Sequence, residues 1–122
     1  MEDRKKDRLT LGKAGEDAAA RFLRKKRFKI LERGFRLFRG EIDIIALDRK
    51  TLVFVEVKTR SGESYGYPEE SVTYAKQSQL RKIAEGYIQK KRLGDCPCRF
   101  DAVSVLIEGQ SRPRIRHIED AF

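Results

Sequence analysis

Asp43, Glu56 and Lys58 are the residues of this chain whose types and spacing could do chemistry. Asp43 lies in an Ile-Asp-Ile-Ile stretch between Glu41 and Asp48, and Glu56 and Lys58 lie in a valine-rich stretch between Thr51 and Thr59. Both stretches are rich in β-branched residues and nearly alternate, which reads as two strands. The short Arg49-Lys50 connection makes them an antiparallel hairpin. With Asp48 paired to Thr51, counting back places Asp43 opposite Glu56 and Glu41 opposite Lys58. A three-residue turn or a bulge would shift that register by one, and Arg-Lys is not a favoured two-residue turn.

Directly opposed side chains share one sheet face, with Cβ atoms about 4.5–5.5 Å apart. Phe54, Glu56 and Lys58 then share one face of their strand, and Val53, Val55 and Val57 the other. Two carboxylates brought so close oppose folding unless a cation, a shared proton or an arginine compensates. A divalent metal is the compensation that also supplies chemistry. Mg²⁺ is held by one or two carboxylates plus water and substrate phosphate. It polarises a scissile phosphate and lowers the pKa of bound water. Lys58 could orient that water or offset charge growing on the phosphorane. The set suits phosphodiester hydrolysis, and no Ser-His or Cys-His pair offers acyl transfer instead. The competing reading is a solvated sheet face, because Glu-x-Lys recurs by chance in a chain that is 39% charged.

Elements that must position these groups follow from periodicity. Thr10 can cap a helix in which Leu11, Ala14, Gly15, Ala18, Phe22 and Leu23 form one stripe through about Lys26. Gly12 and Gly15 are poor helix formers. Their pairing points to a close backbone approach, or else to a loosely wound helix start. Phe28 to Phe38 reads as a strand broken at Gly34. Arg60 to Ser71, with Gly62, Gly66 and Pro68, reads as a long loop of the kind that often carries function. A second helix is predicted from Val72 or Thr73 to Arg92, with Leu80, Ile83, Ala84, Tyr87 and Ile88 inward and Gly94 ending it. Arg99 to Ile107 and Arg114 to Ile118 are the last strands. The predicted order is α-β-β-β-α-β-β.

The 122 residues suffice for one hydrophobic core and divide into a basic, disordered arm over residues 1–9 and a single domain over 10–122. Lys and Arg number 28 against 19 Asp and Glu, a net charge of +9 that favours polyanion partners, with a merely basic soluble protein as the plainer alternative. Residues 1–8 contain no apolar secretory region, and no apolar run approaches the roughly 18 residues of a membrane span, so the expected location is the cytoplasm, without membrane association. Cys96 and Cys98 flank Pro97, and with His117 the sole histidine there are too few ligands for a zinc site. Both cysteines read as ordinary thiols, and His117 as a structural residue of the last strand.

Gly40-Glu41-Ile42-Asp43-Ile44-Ile45-Ala46 followed by Phe54-Val55-Glu56-Val57-Lys58-Thr59-Arg60 resembles the PD-(D/E)xK signature of restriction-endonuclease-like nucleases. Ile42 stands where that signature has its proline. From Leu11 onward the chain is similar to the YraN-like family of small bacterial proteins, through Gly12-x-x-Gly15-Glu16, Tyr65-Gly66-x-Pro68 and Lys76-Gln77. That family resembles archaeal Holliday junction resolvases in turn. The resemblance implies an α/β, restriction-endonuclease-like core: a mixed sheet of about five strands flanked by two main helices. It also implies one site formed by Glu16, Asp43, Glu56 and Lys58. Glu16, Asp43 and Glu56 would be the metal ligands, for Mg²⁺ or Mn²⁺, with Glu16 reaching the metal directly or through water. Without the resemblance, Glu16 reads as a surface charge.

Arg36, Arg39, Arg60, Lys76, Arg81 and Lys82 are the candidate phosphate contacts, and for each the alternative is a solvated surface charge. Such contacts bind backbone and carry little sequence information. Tyr65 and Tyr67 could stack on bases or pack the loop down. The expected partner is nucleic acid, DNA in preference to RNA by analogy with the resolvases. Junction cutting would further require a homodimer. Three functions compete: a metal-dependent endonuclease on branched or flapped DNA in recombination or repair, a non-catalytic nucleic-acid-binding accessory module, and a basic protein-interaction domain.

Overall fold

In chain order the elements are α1 (Glu2–Lys25), β1 (Lys29–Leu37), β2 (Gly40–Asp48), β3 (Thr51–Ser61), α2 (Tyr74–Lys90), β4 (Cys98–Ile107) and β5 (Arg114–Ile118). The computed structural model describes residues 2–61 and 72–122, with side chains described from residue 9 onward. The order is the one that periodicity predicts. Tyr65 and Tyr67, and the loop that holds them, lie outside the described residues.

The five strands form one sheet in the order β1-β2-β3-β4-β5. All neighbours are antiparallel except β3 and β4, which run parallel. A parallel pair needs a crossover, and α2 supplies it. Because β3 alternates valines with larger apolar residues, the sheet has a core on each face. Ala18, Ala19, Ala20 and Leu23 of α1 pack on Ile44, Ala46, Val53, Val55, Val103 and Val105. On the other face Leu80, Ile83, Ala84 and Tyr87 of α2 pack on Ile42, Ile45, Leu52, Phe54 and Phe100. Each of the larger side chains, such as Leu23, Ile44 and Phe54, contributes about 1.5–3 kcal/mol when fully buried. The result is a three-layer α/β fold with a mixed sheet between two helices.

α1 starts at Glu2, ahead of the cap expected at Thr10. The stretch read as a disordered arm is thus helical from Glu2 onward. Only one of the two glycines of α1 is needed for contact. A Cβ on Gly15 would collide with the Thr59 side chain of β3, whereas a Cβ on Gly12 would meet nothing within 4 Å. Gly15 therefore lets α1 approach the site-bearing strand.

α2 is capped by Thr73, whose hydroxyl accepts from the Lys76 N–H at 3.2 Å. It ends at Lys90 rather than Arg92, because Arg92 adopts φ 55° and the Leu93 N–H turns back to Ile88 O at 3.0 Å. α1 closes in the same way, with Arg27 at φ 71° and the Phe28 N–H donating to Leu23 O at 3.0 Å. Both are Schellman endings with arginine in the place glycine usually holds.

A buried polar knot joins β4 and β5. His117 Nε2 lies 2.7 Å from Asp101 Oδ2, and the Asp120 N–H donates to Asp101 Oδ1 at 3.0 Å. Arg99 donates to both Asp101 and Asp48. Burial alone would raise the Asp101 pKa, but hydrogen bonds from His117 and Arg99 outweigh it and hold the carboxyl below its ordinary range. His117 has the structural place expected of it.

Candidate metal centre and nucleic-acid interface

The β2–β3 hairpin has the predicted register from Asp48↔Thr51 through Ile44↔Val55, and there the ladder ends. Asp43 and Glu56, expected to be the next directly opposed pair on one face, do not continue it. Instead Asp43 Oδ2 accepts the Val57 N–H at 2.7 Å. The reason is a twist in the two preceding strands. Ile44 and Ala46 pack on the α1 side, but Ile42 packs on the α2 side. β1 switches in step: Arg33 reaches α1, while Phe35 packs on Tyr87 of α2. Arg33 pairs with Ile44 and Phe35 with Ile42, leaving Gly34 across from Asp43. Gly34 has φ 60°, a left-handed conformation that glycine adopts without strain.

This twist delivers Asp43 to a hollow lined by Gly12, Lys13 and Glu16 of α1, Glu41, and Val57 and Thr59. Glu16, Glu41 and Asp43 each place a carboxylate oxygen within 4.8 Å of the other two. Glu41 was not anticipated as a ligand. The register expected from the sequence places it only opposite Lys58, and the twist at Asp43 is what brings it to Glu16.

Glu56 and Lys58 continue the β3 row that faces α2, beyond Leu52 and Phe54. Glu56 adjoins the triad without being one of its three closely spaced groups. Burial raises its pKa, the positive charges of Lys76 and Lys58 act against that, and Glu41 adds to it. Asp43 is pushed up to about 7, first by burial and then by the negative charge of Glu56; the Val57 N–H opposes this, and Glu41 and Glu16 reinforce it.

Arg33 supplies part of the compensation that clustered acids require. Its Nε donates to Glu16 Oε1 at 2.8 Å and its Nη2 to Asp17 Oδ1 at 2.6 Å. Arg36 approaches Glu41 Oε2 at 3.6 Å, with most of its side chain in water. Neither arginine is paired with Asp43. The donor set fits Mg²⁺ or Mn²⁺: three hard carboxylate oxygens, with no thiol or imidazole among them.

Of the candidate phosphate contacts, Arg36, Arg39 and Lys76 line one groove that shares Glu41 with the hollow. Arg60 lies exposed near the end of β3, and Lys82 lies exposed on α2. Arg81 is turned elsewhere, with its guanidinium 4.9 Å from the Phe100 ring centre and 5.7 Å from that of Phe122. Among the described residues, no helix is long and apolar enough to cross a membrane.

Comparison with known proteins agrees with the resemblance read from the motifs. Residues 15–105 match the profile described as Uncharacterised protein family UPF0102. The chain is 50% identical over 116 residues to a UPF0102 protein of Geotalea uraniireducens (strain Rf4), covering 95% of this chain and 91% of that one. It is 45% identical over 116 residues to a UPF0102 protein of Pelotomaculum thermopropionicum (strain DSM 13744 / JCM 10971 / SI), covering 94% and 97%. A family match over residues 15–105, with relatives at such identity and coverage, makes this chain a member of the UPF0102 family.

Proposed function

We propose that this protein is a metal-dependent endonuclease that hydrolyses phosphodiester bonds in branched or flapped DNA. The observation that carries the reading is the convergence of Glu16, Glu41 and Asp43 in a hollow that shares Glu41 with a groove lined by Arg36, Arg39 and Lys76. Clustered carboxylates repel a phosphodiester, so an acidic hollow adjoining a basic groove makes sense when a cation joins the two.

Glu16, Glu41 and Asp43 would hold the ion, with Glu56 beside them. A bound Mg²⁺ or Mn²⁺ supplies Lewis-acid polarisation of the phosphate and a more acidic water. The chain's own residues do the rest. Val57 fixes the Asp43 carboxylate through its N–H. Arg33 fixes Glu16. Lys58 sets its charge against Glu56 and would offset charge growing on the phosphorane. Arg36, Arg39 and Lys76 bind the phosphate backbone, which gives shape preference rather than sequence preference.

A second reading is favoured by Arg33. An arginine already compensates part of the acidic cluster, as a non-catalytic binding module of this fold would need. Incubating the protein with Mg²⁺ and flap, four-way and linear DNA tests the choice. The nuclease reading expects cleavage of branched substrates, abolished in Asp43→Asn, Glu56→Gln and Lys58→Ala. Salt-sensitive binding without any cleavage supports the accessory module instead.

A further inference from the structure

We propose that Phe38 is a stacking platform for an unpaired base, held in the β1–β2 turn that borders the basic groove. This rests on the nucleic-acid part of the reading above, and it names the part of a branched substrate that the site takes.

The turn is two residues long: Leu37 pairs with Gly40, and Phe38 and Arg39 sit between them at φ 51° and 59°. Two central residues at positive φ are the pattern of a type I′ turn, which is ordinarily Asn-Gly. A bulky side chain pays a steric penalty there that Asn or Gly would avoid. The fold recovers little from it, because Phe38 is 58% exposed. One edge of its ring is seated over Gly86 of α2, where an added Cβ would come within 2.9 Å of Phe38 Cε2. Gly86 thus fixes the direction of the ring while most of it faces water.

The surroundings identify the ligand. Arg36 and Arg39 flank the ring in sequence, and both line the basic groove that reaches Glu41. An exposed aromatic face among cations, with a phosphate-binding groove alongside, is how proteins hold single-stranded nucleic acid. A duplex covers its base faces and offers such a ring nothing. Gly40 to Asp43 spans about 10 Å at roughly 3.3 Å per strand residue. That short stretch of β2 ties the turn to Glu41 and Asp43. This geometry selects the unpaired side of a flap or junction.

Fluorescence anisotropy in EDTA tests this without cleavage, using a labelled single-stranded oligothymidylate and a blunt duplex of equal length. Phe38→Asn keeps a residue suited to positive φ and removes the ring; Phe38→Tyr keeps the ring. We expect Phe38→Asn to bind the single strand about tenfold more weakly and the duplex within about twofold of wild type. Phe38→Tyr should bind both like wild type, and Phe38→Asn should melt no lower than wild type. Unchanged single-strand affinity in Phe38→Asn overturns the proposal. So does an equal loss on both probes, a lowered melting temperature that accounts for the loss, or a wild-type protein that binds neither probe. Binding that follows this pattern in a protein that never cleaves DNA leaves stacking intact and removes only the nuclease reading.

Discussion

The Val57 N–H donates to Asp43 Oδ2 at 2.7 Å, just past the last rung of the β2–β3 ladder at Ile44↔Val55. A side chain thus takes over where a backbone carbonyl would have accepted. That substitution parts the two strands and leaves room for Glu16 and Glu41 to reach the same point. It also buries Asp43 beside other acids and pushes its carboxyl up to about 7.

This makes the metal-free protein pH-dependent in an unusual direction. An unfolded Asp loses its proton near pH 3.9, whereas folded Asp43 keeps its proton to about 7. Between these values the unfolded state binds fewer protons, so stability falls as pH rises. Above the folded value the full penalty is present. Denaturant melts in EDTA should show wild type losing stability from about pH 4 to pH 7, with a shallower loss in Asp43→Asn. Glu56, also raised, adds to the same trend.

The two glycines of α1 should respond oppositely to alanine. Gly12→Ala fills open space and should stabilise the protein by about 0.5–1 kcal/mol. Gly15→Ala forces Thr59 away and should destabilise it by about 1–3 kcal/mol. Because Gly15 seats the turn of α1 that carries Glu16, its variant should also bind Mn²⁺ more weakly. Thermal melts with and without Mn²⁺ measure both effects.

Arg33 holds Glu16 in an ion pair and would compete with a cation bound there. Arg33→Gln should lower the melting temperature in EDTA, since Glu16 and Asp17 lose their shared partner. The increase in melting temperature on adding Mn²⁺ should be larger than in wild type. An equal increase in both would mean that Arg33 and the metal act on different carboxylate oxygens.

Asp101→Asn should cost about 3–5 kcal/mol, because Arg99 and His117 lose a fully buried charge partner. Since folding holds the Asp101 carboxyl below its ordinary range, its contribution is present at neutral pH and lost in acid. Mn²⁺ affinity should be unchanged in any fraction that folds, as measured by titration below the melting temperature.

Alternation in the valine strand made the element order, both cores and most of the hairpin register legible in the sequence. It could not reveal where alternation stops. Gly34 read as a break in a strand, but its left-handed conformation, and with it the switch of faces at Asp43, depends on how β1, β2 and both helices pack together. Glu41 and Arg33 went unnoticed for that reason, although a glycine across from an acid in a strand pair was the available signal. Glu16 was reached through family resemblance, since nothing in the helix pattern separates it from Asp17. Arg81 read as a phosphate contact because charge is visible in a sequence, whereas the Phe100 and Phe122 rings beneath it come together only in the fold.

The central claim is that Glu16, Glu41 and Asp43 hold one divalent cation. Calorimetric titration of Mn²⁺ at pH 8 into wild type and Asp43→Asn tests it most directly. The account predicts saturable binding to wild type and affinity at least about tenfold lower in the variant. Equal affinity in the two proteins, or no binding to wild type, would contradict it.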